Sequence, residues 1–542
     1  MNFKFFMNYK FLIAALSTIL LTAQLSLAQR GLFGGPGGPG GPNAKTIELV
    51  DKFDQNENGR LETNERKAAL EHLENRESEP SRRMPRHRGP SGKPGPEIDV
   101  ESVKPIENDD LYNADVLRTV ILTFENEDWE KELAAFKPTD VEVPAAMVVD
   151  GKHYQEVGVR FRGSSSFFKI PEGSKRSFNI SVDFADDKQR LYGIKTLNLL
   201  NCNGDASMMS SFLFHDIASK KMATPRACFV KVIVNGRSWG VYANVEQFNK
   251  DFLKQNYDSK KGARWKVNGN PRADGGLRYF RNDLDAYKER YTLKSKEDEQ
   301  SWDDLVELTR IIEQTPAKDL EDALEKILDV DGLLWFLAVD VALVNSDGYW
   351  TRASDFNIYQ NAEGKFHILP HDMNEAFGLA KHGGPPPRPG FDRNSRGGRG
   401  GDRGGRSRGG RSAGGSRSPG GRGGDGGPEL DPLVGLDSPR FALRSKLLAN
   451  ENLRTRYLQH LRTIATEYLN WDYLGPKVEK ARSLIDAEVK NDTRKLMTYE
   501  AFQEATADDG KIFDFCSKRA EYLLSHAEIK NLEVDSDAEA VE

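Results

Sequence analysis

Asp347, Asn357 and Asp372 carry the side chains best suited to chemistry in this sequence. Asp347 ends an apolar helical pattern, Asn357 lies in an apolar run ten residues later, and Asp372 follows a second run in Leu369-Pro370-His371-Asp372. Carboxylates and amides are hard oxygen ligands and suit Mg²⁺ bound together with phosphates. Phosphoryl transfer needs a metal, positioning and one group that accepts the hydroxyl proton. Three such side chains could supply all of these. On chemistry alone turns at strand ends, where Asp and Asn are common, are the better reading.

A second group has tighter spacing. Residues 54–65, DQNENGRLETNE, match a calcium loop in which alternate side chains, one carbonyl and a terminal bidentate Glu supply about six to eight oxygens. The ligands would be Asp54, Asn56, Asn58, the Arg60 carbonyl, Glu62 through water, and Glu65, with Gly59 at the sharp turn. This is the EF-hand pattern. Two ligands are neutral amides, which lowers the charge of the site and predicts weak Ca²⁺ binding. A polar helical hairpin that shares the pattern is the alternative reading, and no second loop is found to pair with this one.

The elements that must hold these groups can be outlined. Asp150-Gly151, Asn235-Gly236 and Glu363-Gly364 each fall between apolar runs and predict tight antiparallel turns. Helical periodicity covers 301–315, 318–328, 331–344, 440–468 and 474–490. An antiparallel sheet with helices grouped after it predicts an α+β fold.

Composition sets the boundaries. The chain has 542 residues, 38% hydrophobic and 30% charged, with 49 Gly and a net charge of −6. The length allows about two to four domains, and the net charge excludes a general nucleic-acid binder. Three cysteines (Cys202, Cys228, Cys516) are too few for a disulfide scaffold, though one bridge is possible. Lys4 and Lys10 precede an apolar run, Phe11–Leu27, that ends in small residues. This predicts a signal peptide over 1–28, export, and no membrane span after cleavage. An uncleaved signal anchor is the alternative. Residues 29–43 form a Gly/Pro linker, 44–75 the calcium-loop module, 76–107 a flexible linker, 108–530 a catalytic domain and 531–542 an acidic tail. A Gly/Arg-rich stretch, 382–427, interrupts the domain and has almost nothing apolar to bury, so it is expected to be disordered.

Taken together, these blocks resemble the spore coat protein H (CotH) family of secreted, atypical protein kinases. The resemblance rests on Asn345-Ser346-Asp347, Asn357-Ile358-Tyr359 and Pro370-His371-Asp372-Met373-Asn374 through Phe377-Gly378. Upstream it rests on Arg160-Phe161-Arg162-Gly163, Lys175-Arg176-Ser177, Gly193-Ile194-Lys195 to Asn201, Asp205, and Val234-Asn235-Gly236 to Val245-Glu246-Gln247. It covers about 108–380 and, more loosely, 430–525.

The resemblance implies a kinase-like domain of antiparallel sheet plus helices, using ATP and Mg²⁺ or Mn²⁺. Asp347 would be the catalytic-loop carboxylate, Asn357 and Asp372 the metal ligands. Lys175 and Arg162 would contact ATP phosphates, and Glu246 would orient a basic side chain. A lone Lys is also an ordinary solvated charge, Glu246 could simply end a strand, and Gly163 could serve a bulge. No G-x-G-x-x-G loop or His-Arg-Asp is present, and Asn374 stands where the family carries a second Asp.

The function this implies is transfer of the ATP γ-phosphate to Ser or Thr of a surface or envelope protein. The alternative is a non-catalytic calcium-binding surface protein that keeps the fold. The Gly/Arg tract could bind an anionic polymer or remain a solvated loop, and export argues against nucleic acid. Its Ser407, Ser412, Ser416 and Ser418 are candidate acceptors for the same chain.

Overall fold

The computed structural model describes residues 46–77, 92–107, 110–163, 165–269, 274–295, 298–379 and 426–532. The leader 1–28, the linker 29–43, all but the last two residues of the 382–427 tract, and the tail from 533 onward lie outside the described residues.

Seven strands close into a barrel: β1 (Arg118–Thr123), β2 (Val143–Val149), β3 (Lys152–Phe161), β4 (Phe178–Ser181), β5 (Thr196–Leu200), β6 (Ala227–Val234) and β7 (Arg237–Val245). Their order is β1-β2-β3-β4-β5-β7-β6. All three expected turns are present, two of them in the barrel and the third, at Glu363-Gly364, between antiparallel strands of a second sheet. Asp150 (φ 50°) with Gly151 (φ 73°), and Asn235 (φ 47°) with Gly236 (φ 74°), put both central residues in the left-handed region, as a two-residue hairpin loop requires. The closing pair departs from the antiparallel expectation, because β1 and β6 run parallel from Arg118↔Val230 to Leu122↔Val234.

Side chains alternate across a strand. Val157, Val159 and Phe161 of β3, Phe178 and Ile180 of β4, and Leu197 and Leu199 of β5 therefore fill the barrel core. The residues between them, Arg160, Asn179, Ser181, Thr196 and Asn198, stand on its outer face. A second sheet faces that surface: β8 (Ala263–Val267), β9 (Tyr291–Leu293), β10 (Phe356–Gln360) and β11 (Phe366–Pro370), antiparallel in the order β11-β10-β8-β9.

The segment expected to carry a calcium loop docks on the barrel instead of standing apart. Its first helix, α1 (Val50–Phe53), is a single turn, and its second is α2 (Thr63–Glu77). Leu49, Leu61, Ala69 and Leu73 join the barrel core. Arg66 Nε contacts Glu132 Oε1 at 2.8 Å, with both side chains buried, and Glu132 belongs to α3 (Trp129–Ala135).

Residues 92–107 differ from the expected loose linker. Ser238 N donates to Pro96 O and Ile98 N to Gly236 O, each within 3.0 Å, so the segment runs along the β6–β7 hairpin. Gly95 permits this approach, since a Cβ there would lie 1.9 Å from Ser238 O.

The helical part contains α4 (Ser210–Ala218), α5 (Lys250–Tyr257), α6 (Glu299–Gln314), α7 (Ala317–Glu325), α8 (Val330–Ala342), α9 (Glu451–Thr463), α10 (Trp471–Asn491), α11 (Tyr499–Thr506) and α12 (Lys511–Ser525). The pattern at 440–468 breaks into short pieces because Asn450 caps α9, accepting from Leu453 N at 2.9 Å. Helix α8 is buried on nearly every side and forms the centre of the helical core. Cys202, Cys228 and Cys516 are free and buried, so the possible disulfide is not formed. Among the described residues no helix is long and apolar enough to cross a membrane.

Candidate active site

Helix α8 ends at the loop that carries Asp347. An aspartate inside this apolar helix, Asp340, anchors the loop: its carboxylate accepts from Asn345 Nδ2 (3.1 Å) and Trp350 N (3.3 Å). Burial pushes the Asp340 carboxyl up to about 7. Gly348 is required beside it, since a Cβ there would sit 1.9 Å from Asp340 Oδ1. Asp347 itself is paired with Arg352 at 2.6 Å.

The turn after β11 is fastened to this loop. Phe377 N donates to Leu343 O (2.7 Å), Ser346 N to Glu375 O (3.3 Å) and Ser346 Oγ to Glu375 Oε2 (2.8 Å). Asp372 begins the turn with φ 62°, and His371 N donates to Asp355 O at 2.9 Å. Asp355 (φ 59°) and Phe377 (φ 64°) are also left-handed, and such residues gather at functional sites. Burial and the charges of Asp347, Asp372 and Glu375 push the Asp355 carboxyl well above the usual range. Both predicted aspartates therefore lie within electrostatic reach of a third. Asn374, with its carboxamide nitrogen turned toward Asp372, donates to Asp372 Oδ1 at 3.0 Å. The amide thus orients the carboxylate where a second Asp would repel it.

Asp372 and Asn357 open on a cavity of about 520 Å³ between the barrel's outer face and the second sheet. Seven basic residues line it: Lys137, Arg160, Arg162 and Lys195 from the barrel side, and Arg264, Lys266 and Lys294 from the sheet side. Only Glu246 and Asp372 oppose them among the lining residues. Crowding is severe enough to push Lys137 down to about 8, through burial and the charges of Arg160, Lys266 and Arg162. Lys266 is lowered by burial and by Arg162, an effect that Asp372 opposes. Two wall histidines are held neutral: burial takes His215 to about 3, and burial with Lys266 and Arg162 lowers His371. A site with this excess of cations over anions is built for a polyanion.

The predicted residues separate into two groups. Arg162, Glu246, Asn357 and Asp372 line the cavity, and the Asp347 loop is fastened beside it. Glu246 orients Arg226, which donates to both its oxygens at 2.9 and 3.2 Å. Lys175 is a correction: its ammonium pairs with Asp492 Oδ2 at 2.7 Å, buried beneath α10 and away from the cavity. The residue faces the end of that helix and does not line the cavity that holds Asp372. Sequence reasoning missed Lys137, Lys266, Asp340 and Asp355. Asp340 alone left a signal, a carboxylate inside an otherwise apolar helix.

In the calcium loop, Asp54 accepts from Asn58 N (3.2 Å) and Gly59 N (2.7 Å), and Glu65 from Gln55 N (2.7 Å) and Glu62 N (2.8 Å). Asn58 Nδ2 donates to Glu62 Oε1 at 3.2 Å, and Asn56 accepts from Asn58 N at 3.1 Å. Arg60 reaches out to Glu156 of β3 at 3.3 Å. Among the described residues no three His, Cys, Asp or Glu side chains are grouped closely enough to hold a cation by themselves.

A family model described as CotH kinase protein matches residues 159–523, two-thirds of the chain and the stretch that holds both sheets of the cavity from β4 onward. The chain is similar to the inner spore coat protein H of Bacillus subtilis (strain 168), with 29% identity over 259 residues. That alignment covers 45% of this chain and 65% of the relative. With two-thirds of its length matched, and the quoted motif blocks from Arg160 to Gly378 all inside the match, the chain belongs to the CotH kinase protein family.

Proposed function

We propose that this chain is an exported protein kinase that transfers the γ-phosphoryl group of ATP to a Ser or Thr hydroxyl of a surface or envelope protein. The observation that carries this reading is the fastening of the Asp347 loop to the Asp372 turn at the rim of a cationic cavity. Lys137, Arg162, Lys266 and Lys294 would bind the phosphate chain between barrel and sheet. Asp372 and Asn357 present a carboxylate and an amide oxygen, hard donors that suit Mg²⁺ or Mn²⁺. A cation that arrives with phosphates needs only one or two protein carboxylates, so the absence of a three-acid cage among the described residues leaves the fit intact. When bound, the metal would offset phosphate charge.

In the transfer, the acceptor oxygen forms a bond to the γ-phosphorus while the bond to the ADP oxygen breaks. The hydroxyl proton passes to the Asp347 carboxylate, which Arg352 holds in place. Incubating purified protein with labelled ATP and a Ser/Thr-bearing protein acceptor tests the reading. Label should appear on the acceptor with Mg²⁺ or Mn²⁺ and vanish with chelator. No transfer with either metal, together with a melting temperature indifferent to ATP, would leave the non-catalytic surface protein as the better account.

The same reading gives the loop at Asp54–Glu65 a calcium ion, supported by the spacing of its oxygens and by the docking of Leu61 and Arg66 on the barrel. A ligand that binds only the native state stabilises it by about 2.7 kcal/mol at a hundredfold excess over Kd. Millimolar Ca²⁺ should therefore raise the melting temperature by a few degrees in the wild type and not in Glu65→Gln. Identical melting curves with Ca²⁺ and with chelator would remove calcium from the account.

A further inference from the structure

The cavity is polar in two different ways. Besides its seven cations, the lining carries amides on the barrel side, Asn179, Asn198 and Gln247. Arg160, Asn179 and Asn198 stand in one row across β3, β4 and β5, through the register pairs Arg160↔Asn179 and Asn179↔Asn198. The row continues as a hydrogen-bond relay. Asn179 Nδ2 donates to Asn198 Oδ1 (2.8 Å), and Asn198 Nδ2 donates to Val245 O (3.2 Å) and to Gln247 Oε1 (2.8 Å).

A carboxamide can ordinarily be turned end for end, but this relay has a fixed direction. The Val245 carbonyl can only accept, so Asn198 must face it with nitrogen. Asn198 nitrogen in turn requires the Gln247 oxygen. The remaining Gln247 arm, Nε2, is left as a donor on a residue that lines the cavity, on the segment joining barrel to second sheet.

We infer that Gln247 is a specificity-determining residue that reads the uncharged end of the bound nucleotide. Its Nε2 donates to a ring nitrogen or carbonyl oxygen on the nucleobase, while the lining cations take the phosphates. The inference rests on the nucleotide reading above. The Asn198 contact fixes the polarity, so the site favours a base edge that offers a lone pair and disfavours one that offers N–H.

Titration calorimetry with two ligands, ATP and inorganic tripolyphosphate, each with Mg²⁺, tests it. Gln247→Leu and Gln247→Met each remove the amide, donor and acceptor together, without adding charge. Each should weaken ATP about tenfold, the range of a lost hydrogen bond to a buried partner, and leave tripolyphosphate affinity unchanged. ATP affinity unaltered in both variants, or equal losses for both ligands, would overturn the role of Gln247. Failure of the wild type to bind either ligand would instead overturn the nucleotide reading on which it rests.

Discussion

Asp372→Asn is expected to reduce phosphate transfer by roughly 10³-fold or more, since the group lost is a charge at the reacting phosphates. Asparagine is the better replacement than alanine for a physical reason. Residue 372 has φ 62°, a conformation that Asn and Asp tolerate and Ala resists. The substitution therefore separates loss of charge from backbone strain, and the melting temperature without nucleotide should stay near the wild-type value. The increase given by ATP with Mg²⁺ should disappear, because the cavity would keep Arg162 and Lys266 but would lose the carboxylate that would hold the metal. Asp347→Asn should behave differently. On the proposed reading its carboxylate would accept the hydroxyl proton, and it does not line the cavity, so the nucleotide-induced increase should persist while transfer falls by about 10²–10⁴-fold. If the two variants lost nucleotide binding to the same degree, the division of labour between the two aspartates would be wrong.

How far the sequence announces this site depends on the range of the interactions involved. The Asp150-Gly151 and Asn235-Gly236 turns are legible because two adjacent left-handed residues are a local demand that few dipeptides meet. The block from Asn345 to Gly378 is legible for a similar reason: the helix end, the hairpin and the following turn are contiguous, and their hydrogen bonds span about thirty residues. The barrel's closure is not. Its β1–β6 pairing joins residues more than a hundred positions apart, and nothing in either strand marks it as parallel.

The cationic cavity is invisible for another reason. Lys137 follows a helix, Arg160 ends a strand and Lys195 precedes one, so each resembles an ordinary solvated charge until the barrel sets them against Lys266 and Lys294 of the second sheet. Asp355 is hidden too, since a carboxylate before a strand is usually a turn residue. Only the neighbours Asp347, Asp372 and Glu375 give it significance.

Lys175 shows the opposite failure, a conspicuous residue whose motif position suggested phosphate contact, and its replacement should have the largest effect on stability. The ammonium and the Asp492 carboxylate are 2.7 Å apart and only 2% and 3% exposed. Asp492 also accepts from Arg494 N at 2.7 Å, and Gly240 leaves room for it, since a Cβ there would fall 2.1 Å from Asp492 Oδ2. The Tyr242 ring lies 5.1 Å from the ammonium. The pair therefore joins the barrel to the end of α10 within a closed, largely apolar site. Lys175→Met strands a buried carboxylate, and breaking such a pair costs about 3–5 kcal/mol. Urea denaturation should show that loss as a shifted midpoint. The double variant Lys175→Met/Asp492→Leu should recover most of it, because an apolar pair of similar volume avoids burying any charge. Tripolyphosphate affinity of the folded Lys175→Met protein should match the wild type. A variant as stable as the wild type that had lost that affinity would return Lys175 to the phosphate site and undo the assignment of the cavity.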